Sequence, residues 1–587
     1  ALYANEWEDG SLEPNGYIFL ERFHLEGTTP VWTYALADAL LEKRIWMQPG
    51  HNTTYIHYTL RRGSRPVNLE IKAFVNSRDH HGSTRASEER WALAYMVNGV
   101  RVTPAAGVSP YYLFSNRATL SPDYEWTLGY YLAVEAYRGL DELDDNLFIG
   151  TFEAALHPGH TLTLVATTDP APNLDGDAAY QARRAYEAAL IQKARAGDAP
   201  AWVQHLTLAA DQFIVRRASA REPEGHSVIA GYPWFGDWGR DTMIALPGLT
   251  LATGRPEIAR SILRTFAQFV DQGMLPNRFP DDGERPEYTT VDATLWYFEA
   301  IRAYHAATSD DALLEELFPV LEDILAWHAR GARYQIHLDP EDGLLSAGEP
   351  GVQLTWMDAK AGEWVVTPRT GKPVEINALW YNAQRSMAAF ARRLGRPSEA
   401  FEQAAEKTRR GFDRFWNEAR GCCFDVLDGP DGPDDTIRPN QLFAVSLFYD
   451  LLTHEQQKSL VEVCALRLYT SHGLRSLDPE HPGFTGTYGG DQRERDAAYH
   501  QGTVWGWLIG PFVAAHLKVH KDPTQALTFL EPLIRHLDGH CMGSISEIFE
   551  GYPPFTPRGC FAQAWSVAEL LRLSCYLSSC QCKVEMS

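Results

Sequence analysis

Gly231–Thr242, GYPWFGDWGRDT, sets four aromatics, two Asp and one Arg within twelve residues, just before a helical pattern. Near the other end, Gly543–Trp565 (GSISEIFEGYPPFTPRGCFAQAW) sets Glu547 and Glu550 among aromatics and prolines. Rings beside carboxylates suit the faces and hydroxyls of a sugar better than they suit a core. Breaking a glycosidic bond takes two carboxyl groups on opposite sides of the sugar. One protonates the leaving oxygen; the other activates water or attacks the anomeric carbon. Carboxylates from distant loops are therefore the residues to look for.

Between the two stretches, LTWMDAKAGEWVVTPRTGKPVEIN (Leu354–Asn377) places Asp358 after Trp356 and Met357 and before Lys360. Apolar neighbours desolvate a carboxyl and raise its pKa, as a general acid requires. An Asp that binds sugar hydroxyls or caps a turn fits the same residues equally well. Glu375 starts the next helix, where a helix-terminus role competes with substrate binding. Of the distal acids, Glu547 has a Gly/Ser setting and Glu550 precedes Gly-Tyr-Pro-Pro, and either could hold a water. Arg240 and Asp241 offer hydroxyls a bidentate partner beside Trp238, with a structural ion pair as the competing reading. YHQGTVWGW (Tyr499–Trp507) brings His500 and Gln501 to an expected helix start after the charged run DQRERD; a core His is the commoner fate of such a residue. His536 and His540 have i, i+4 spacing but no acidic third ligand close by, so no metal or cofactor is expected.

The elements that must position these residues fall into two regions. Residues 1–168 read as strands of an antiparallel β-sandwich: Tyr55–Leu60, Val67–Val75, Trp91–Val102 and His160–Thr168 are β-branched or aromatic and separated by Gly, Pro, Asn and Asp. Asn76–Gly82, with two adjacent His, reads as a polar surface loop, with a lip of the active site as the alternative. Residues 169–199 form a linker and connecting helix. From 200 to 577 the period is helical, with helices expected at 201–219, 241–253, 255–272, 290–308, 310–330, 374–394, 396–416, 440–450, 454–467, 498–519, 522–539 and 560–577, and hardly a strand between them. Short turns alternate with loops longer than about 15 residues, which inside a compact domain are usually functional or disordered. Twelve such helices predict six hairpins closed into an (α/α)6 toroid, with the long loops gathered at one end. Residues 578–587 form an atypical tail.

With 587 residues the chain is too long for one core. A formal charge of −23 argues against nucleic acid or an anionic membrane as partner. No apolar run approaches the roughly 20 residues of a membrane helix. The start lacks a signal pattern and an initiator Met and reads as a truncation. Eight Cys without paired CxxC spacing read as reduced thiols of a cytoplasmic protein. Aromatics at 12%, including 17 Trp, fit large cores as well as sugar-stacking subsites.

Seven stretches carry a resemblance: WGRDT (Trp238–Thr242), MLPNRF (Met274–Phe279), YTTVDATLWY (Tyr288–Tyr297), Thr355–Asn382, RPNQLFAVSL (Arg438–Leu447), YHQGTVWGWLIGPF (Tyr499–Phe512) and Ser546–Leu571. In these the chain resembles the amylo-α-1,6-glucosidase half of glycogen debranching enzymes, in the single-function prokaryotic form. The resemblance implies a mainly α, (α/α)6 toroid behind a β-sandwich, and inverting hydrolysis of an α-1,6-linked glucose stub on glycogen or a related branched α-glucan. It implies Asp358 as general acid and Glu547, over Glu550, as general base, their carboxyls about 6.5–9.5 Å apart. Substrate binding is expected from Trp238, Arg240, Asp241, Asp292, Trp356, Lys360, Glu375, His500, Gln501, Trp505 and Trp565. A sucrose-cleaving neutral invertase or a trehalase using the same arrangement is the nearest alternative. A non-catalytic glucan-binding protein is the alternative from another class.

Overall fold

The computed structural model describes residues 1–585 apart from 106, 220–221 and 281–284, with side chains described through 577. The chain divides into two compact units, residues 1–190 and 191–587.

The first unit is built on antiparallel sheets. One has eight strands: Leu20–Glu26, Thr29–Leu36, Ala39–Met47 and Thr53–Arg62 as successive neighbours, then Thr161–Thr167, Tyr111–Ser115, Gly99–Thr103 and Ala92–Met96. The other orders Thr119–Tyr131, Leu143–Leu156 and Val67–Val75. Alternate residues of both sheets, among them Leu41, Leu60, Val102, Leu147, Phe152 and Leu162, share one buried cluster. This is the period-2 pattern of sheets with one buried face. The stretch Trp91–Val102 is two strands rather than one, since Met96 pairs with Gly99 across a two-residue turn. Part of the larger sheet's other face is covered by the helix Gly176–Lys193, whose Tyr180 packs on Trp46.

The second unit is helical. Its main helices are α1 (Ala201–Gln212), α2 (Gly239–Leu246), α3 (Pro256–Ala267), α4 (Asp292–Thr308), α5 (Asp311–Arg330), α6 (Val374–Arg393), α7 (Glu399–Phe412), α8 (Phe443–Ser446), α9 (His454–Arg467), α10 (Ile509–His520), α11 (Pro523–Thr528) and α12 (Ala564–Glu585). Packing alternates along the chain. α2 packs on α4, α4 on α6, α6 on α8, α8 on α10, α10 on α12, and α12 returns to α2. The odd-numbered helices lie against this closed series. Burial follows the alternation: every residue of α2 and most of α6 are buried, polar ones included, whereas α7 buries only Ala405, Thr408, Gly411 and Phe412. A helix whose wide face is covered on several sides lies in the middle; one with a single narrow buried stripe lies outside.

Several expectations change. The helix expected over 201–219 ends at Gln212 and is followed by the strand Ile214–Arg216, and that over 522–539 is two short helices, Pro523–Thr528 and Glu531–His536. The helix expected over 498–519 begins only at Ile509, and the charged run before it is itself helical. Asp491 and Glu494 form a capping box that opens Gln492–Tyr499, so His500 lies at a helix end rather than a start. The helix over 440–450 shrinks to a single turn each of 3-10 (Pro439–Leu442) and α8. The tail beyond 577 continues the backbone of α12 to Glu585. Strands are also present between the helices, each two to four residues long and so too short to show a clear period-2 pattern. Tyr469–Thr470, Gly473–Arg475, Val504–Trp505, Ile548–Phe549 and Pro557–Arg558 form a five-stranded antiparallel sheet, and Gly231–Tyr232 pairs with Ala562–Gln563.

Candidate active site

A cavity of about 80 Å³ opens among Ala230, Phe235, Trp238, Arg240, Asp241, Trp356, Asp358, Tyr499, Trp505, Glu547, Gln563 and Trp565. Its walls come from the segments leading into α2, α6, α10 and α12, or from their first turns. Eight of the expected site residues are therefore brought together although they span more than 300 positions of sequence.

Asp358 and Asp292 share one cation. Arg240, on the first turn of α2, donates through Nε to both oxygens of Asp292 at 2.9 and 2.8 Å, and through Nη1 to Asp358 at 2.8 Å. Asp292 also accepts from Thr290 Oγ1 and from the Ala293 N–H, both at 2.8 Å, so it sits behind the cavity as the support of Arg240. One guanidinium thus faces Asp241, Asp292, Asp358 and, across the cavity, Glu547. Carboxyls crowded around one cation oppose one another's ionisation. Burial raises the pKa of Asp358 in spite of Arg240, and the charge of Asp292 adds to the rise. Burial pushes Asp241 up to about 8, opposed by Arg240 and reinforced by the charges of Asp358 and Glu547.

Glu547 is held differently. Its Oε1 accepts from the Tyr499 hydroxyl, and its Oε2 accepts from the Cys560 N–H at 2.8 Å. Donors to the charged form favour a carboxylate. The backbone fixes the same residue, because the Glu547 N–H donates to the Cys560 carbonyl at 2.9 Å. Gly559, at φ +66°, is required here, since a Cβ would lie 2.2 Å from Glu547 Oε2. Neighbouring Ser546 is anchored by His536 Nε2 at 3.0 Å, and burial lowers that imidazole to about 4, which keeps it neutral. Glu550 points elsewhere, accepting from Arg558 at 2.8 Å.

Below the carboxylates lies a tryptophan cluster. Trp356 meets Trp505 and Trp507 edge-on at 5.2 and 5.5 Å, and Trp507 stacks on Trp565 at 4.9 Å. Trp356 donates to Asn440 (2.6 Å), which donates to Asp425 (2.8 Å). Arg369 joins Asp425 (2.9 Å) to Glu375 (2.8 Å), so the loop bearing Asp358 is tied to the start of α6.

Besides Asp292, four expected binding residues lie outside the cavity. Glu375 is bound by Arg369, which also holds Asp425. His500 is fully buried and stacked on Trp505 at 5.0 Å, its pKa driven well down by burial, so it is a neutral support for that ring. Gln501 bridges Arg438 and Thr367, and Lys360 donates to the Gly351 carbonyl. Phe235, Tyr499 and Gln563 line the cavity but carried no expected role. Each stands inside a quoted motif, yet nothing in its residue type distinguishes it from its neighbours. Elsewhere Asp339, Asp342 and Asp428 cluster as metal ligands would, but Lys372 Nζ lies within 2.7–2.8 Å of all three and takes the cation's place.

These segments coincide with known families. The amylo-α-1,6-glucosidase family matches residues 208–572, and the N-terminal region of glycogen debranching enzymes matches 1–163. The chain belongs to the amylo-α-1,6-glucosidase family, a family of glycoside hydrolases. It is similar to the glycogen debranching enzyme of Saccharomyces cerevisiae, at 25% identity over 64% of this chain, and spans about a third (32%) of that protein's length. Two structures from Thermus thermophilus are similar at lower identity. An uncharacterized conserved protein (16% identity, TM-score 0.46) is covered over its full length by 64% of this chain. A mannosylglycerate hydrolase in complex with glucose (17%, TM-score 0.45) is covered over 97% of its length by 60% of this chain. Among the described residues, no helix is long and apolar enough to cross a membrane.

Proposed function

We propose that this protein hydrolyses α-1,6-linked glucose stubs of glycogen or a related branched α-glucan, with inversion, using Asp358 as general acid and Glu547 as general base. The observation that carries the proposal is the unequal support of two carboxyls on one cavity. Asp358 is pushed toward its protonated form by burial beside Asp292, while Glu547 receives a donor on each oxygen. Environments that drive two carboxyls apart assign the acid and the base. In this reading Asp358 gives its proton to the departing C6 oxygen. Glu547 takes one from the water that attacks the anomeric carbon on the opposite face. Trp238, Arg240 and Asp241 then clamp the sugar, over the floor of Trp356, Trp505 and Trp565. The closed alternation of inner and outer helices supports an (α/α)6 toroid, and the core shared by the two N-terminal sheets supports a β-sandwich.

The test is hydrolysis of a branched limit dextrin by Asp358→Asn and Glu547→Gln, with sucrose and trehalose as competing substrates for the parent protein. Both variants should fold and lose several orders of magnitude in rate. Parent-like rates in either, or turnover only of sucrose or trehalose, would overturn the assignment.

A further inference from the structure

The cavity shared by Asp358 and Glu547 is small, about 80 Å³, so most of a branched glucan must lie outside it, on the surface at its mouth. Single exposed apolar residues are ordinary, and position is what separates a platform from chance exposure. Three exposed aromatics sit on the segments that carry the two carboxyls: Trp364 (41% exposed), Tyr552 (53%) and Phe561 (41%). The chemistry distinguishes them. The leaving oxygen is next to the acid, so the departing chain emerges on the side of Asp358 and away from the base. Tyr552 and Phe561 follow Glu547 and Cys560, on the side of the base.

Trp364 is on the side of the acid. Two residues after Asp358 the chain forms a hairpin in which Lys360 pairs with Val365 and Ala361 with Trp364. The pairing extends back toward Asp358 through the Val366 N–H, which donates to the Ala359 carbonyl. Trp364 therefore stands about 10 Å along the hairpin from the acid, at roughly 3.3 Å per residue, which is the span of one or two sugar rings. The ring is held in place, with the Arg493 guanidinium 5.2 Å from its centre. Arg493 is on the short helix Gln492–Tyr499, whose last residue, Tyr499, lines the cavity. The hairpin and that helix pack together.

We infer that Trp364 is the stacking platform for the leaving chain, and that it selects an α-glucan oligosaccharide over a small leaving group. This rests on Asp358 being the proton donor. The test compares Trp364→Ala, Trp364→Phe and Tyr552→Ala on a branched limit dextrin and on α-glucosyl fluoride, which has no sugar chain to leave. Trp364→Ala should lose about tenfold in kcat/KM on dextrin, the scale of unburying one aromatic face, mainly through KM. Its rate on the fluoride should stay within about twofold of the parent, and Trp364→Phe should recover part of the dextrin loss. An equal loss on both substrates would mean that Trp364 only holds the acid's loop, and would overturn the inference. So would an unchanged dextrin rate, or an equal dextrin-specific loss in Tyr552→Ala. Failure of the acid assignment itself is read separately, in Asp358→Asn: loss of the acid should spare fluoride hydrolysis while dextrin hydrolysis collapses, and retained dextrin hydrolysis or an equal loss on both substrates would refute that assignment.

Discussion

Tyr499→Phe isolates one hydrogen bond of the candidate base. The ring should stay in place, because it packs on His500 at 4.8 Å and on Trp505 at 4.9 Å through contacts that phenylalanine keeps. What disappears is the donor to Glu547 Oε1; the Cys560 N–H on Oε2 remains. A hydrogen bond to a charged group is worth about 1.5–3 kcal/mol. This one acts only on the ionised form, so its loss makes the base easier to protonate. At about 1.4 kcal/mol per unit, the acid limb of the pH–kcat/KM profile should move up by roughly one to two pH units. The sign follows from the role: the base must be ionised to work, so activity is lost first on the acidic side. The assay is kcat/KM on a branched limit dextrin across pH, with a melting curve to confirm folding. The variant should approach the parent near neutrality and fall about 10- to 100-fold behind it below the parent's acid limb. An unmoved acid limb, or a shift confined to the alkaline limb, would refute the assignment of Glu547 as the base that Tyr499 supports.

Two other substitutions probe the same cavity. Asp241 titrates near 8 in the fold against a usual 3.8, so the folded protein holds the extra proton between those values and stability falls as pH rises through that window. Asp241→Asn should therefore melt higher than the parent at pH 8.5, by up to several kcal/mol at about 1.4 per unit, with the two curves converging near pH 4; a pH-independent difference would show that Asp241 is not held protonated. Gly559→Ala places a methyl against Glu547 Oε2 at a left-handed backbone position, and a misplacement of this order costs on the order of 100-fold in rate. A Gly559→Ala protein with kcat within threefold of the parent would show that the glycine does not set the base.

How much of this was legible in the residues depended on the length of the pattern. The long amphipathic helices α3, α5, α6 and α7 announced themselves by period, and those expected from 255 and 310 start within one residue of there, at Pro256 and Asp311. The cavity-forming motifs were legible as unusual densities of aromatics and carboxylates, because a sugar site needs both at once. What stayed hidden was whatever depends on pairing between distant short segments. The five-stranded sheet that fixes Trp505 and Glu547 consists of strands of two or three residues, and no periodicity survives at that length. The choice between Glu547 and Glu550 rests on Gly559, Cys560 and Arg558, none of which marks either acid in sequence. His500 and Glu375 looked like ligands because residue type cannot distinguish a buried support from a cavity wall. The capping box Asp491–Glu494 was readable, but it lay inside a run of charges that resembles a loop.

Single displacement by Asp358 and Glu547 at an α-1,6 bond dictates the anomer released. Proton NMR of the first product formed from an α-1,6-branched dextrin tests it most directly, because the anomer is recorded before mutarotation. Inversion gives β-glucose. Initial α-glucose, or no glucose from the branch stub, would contradict it.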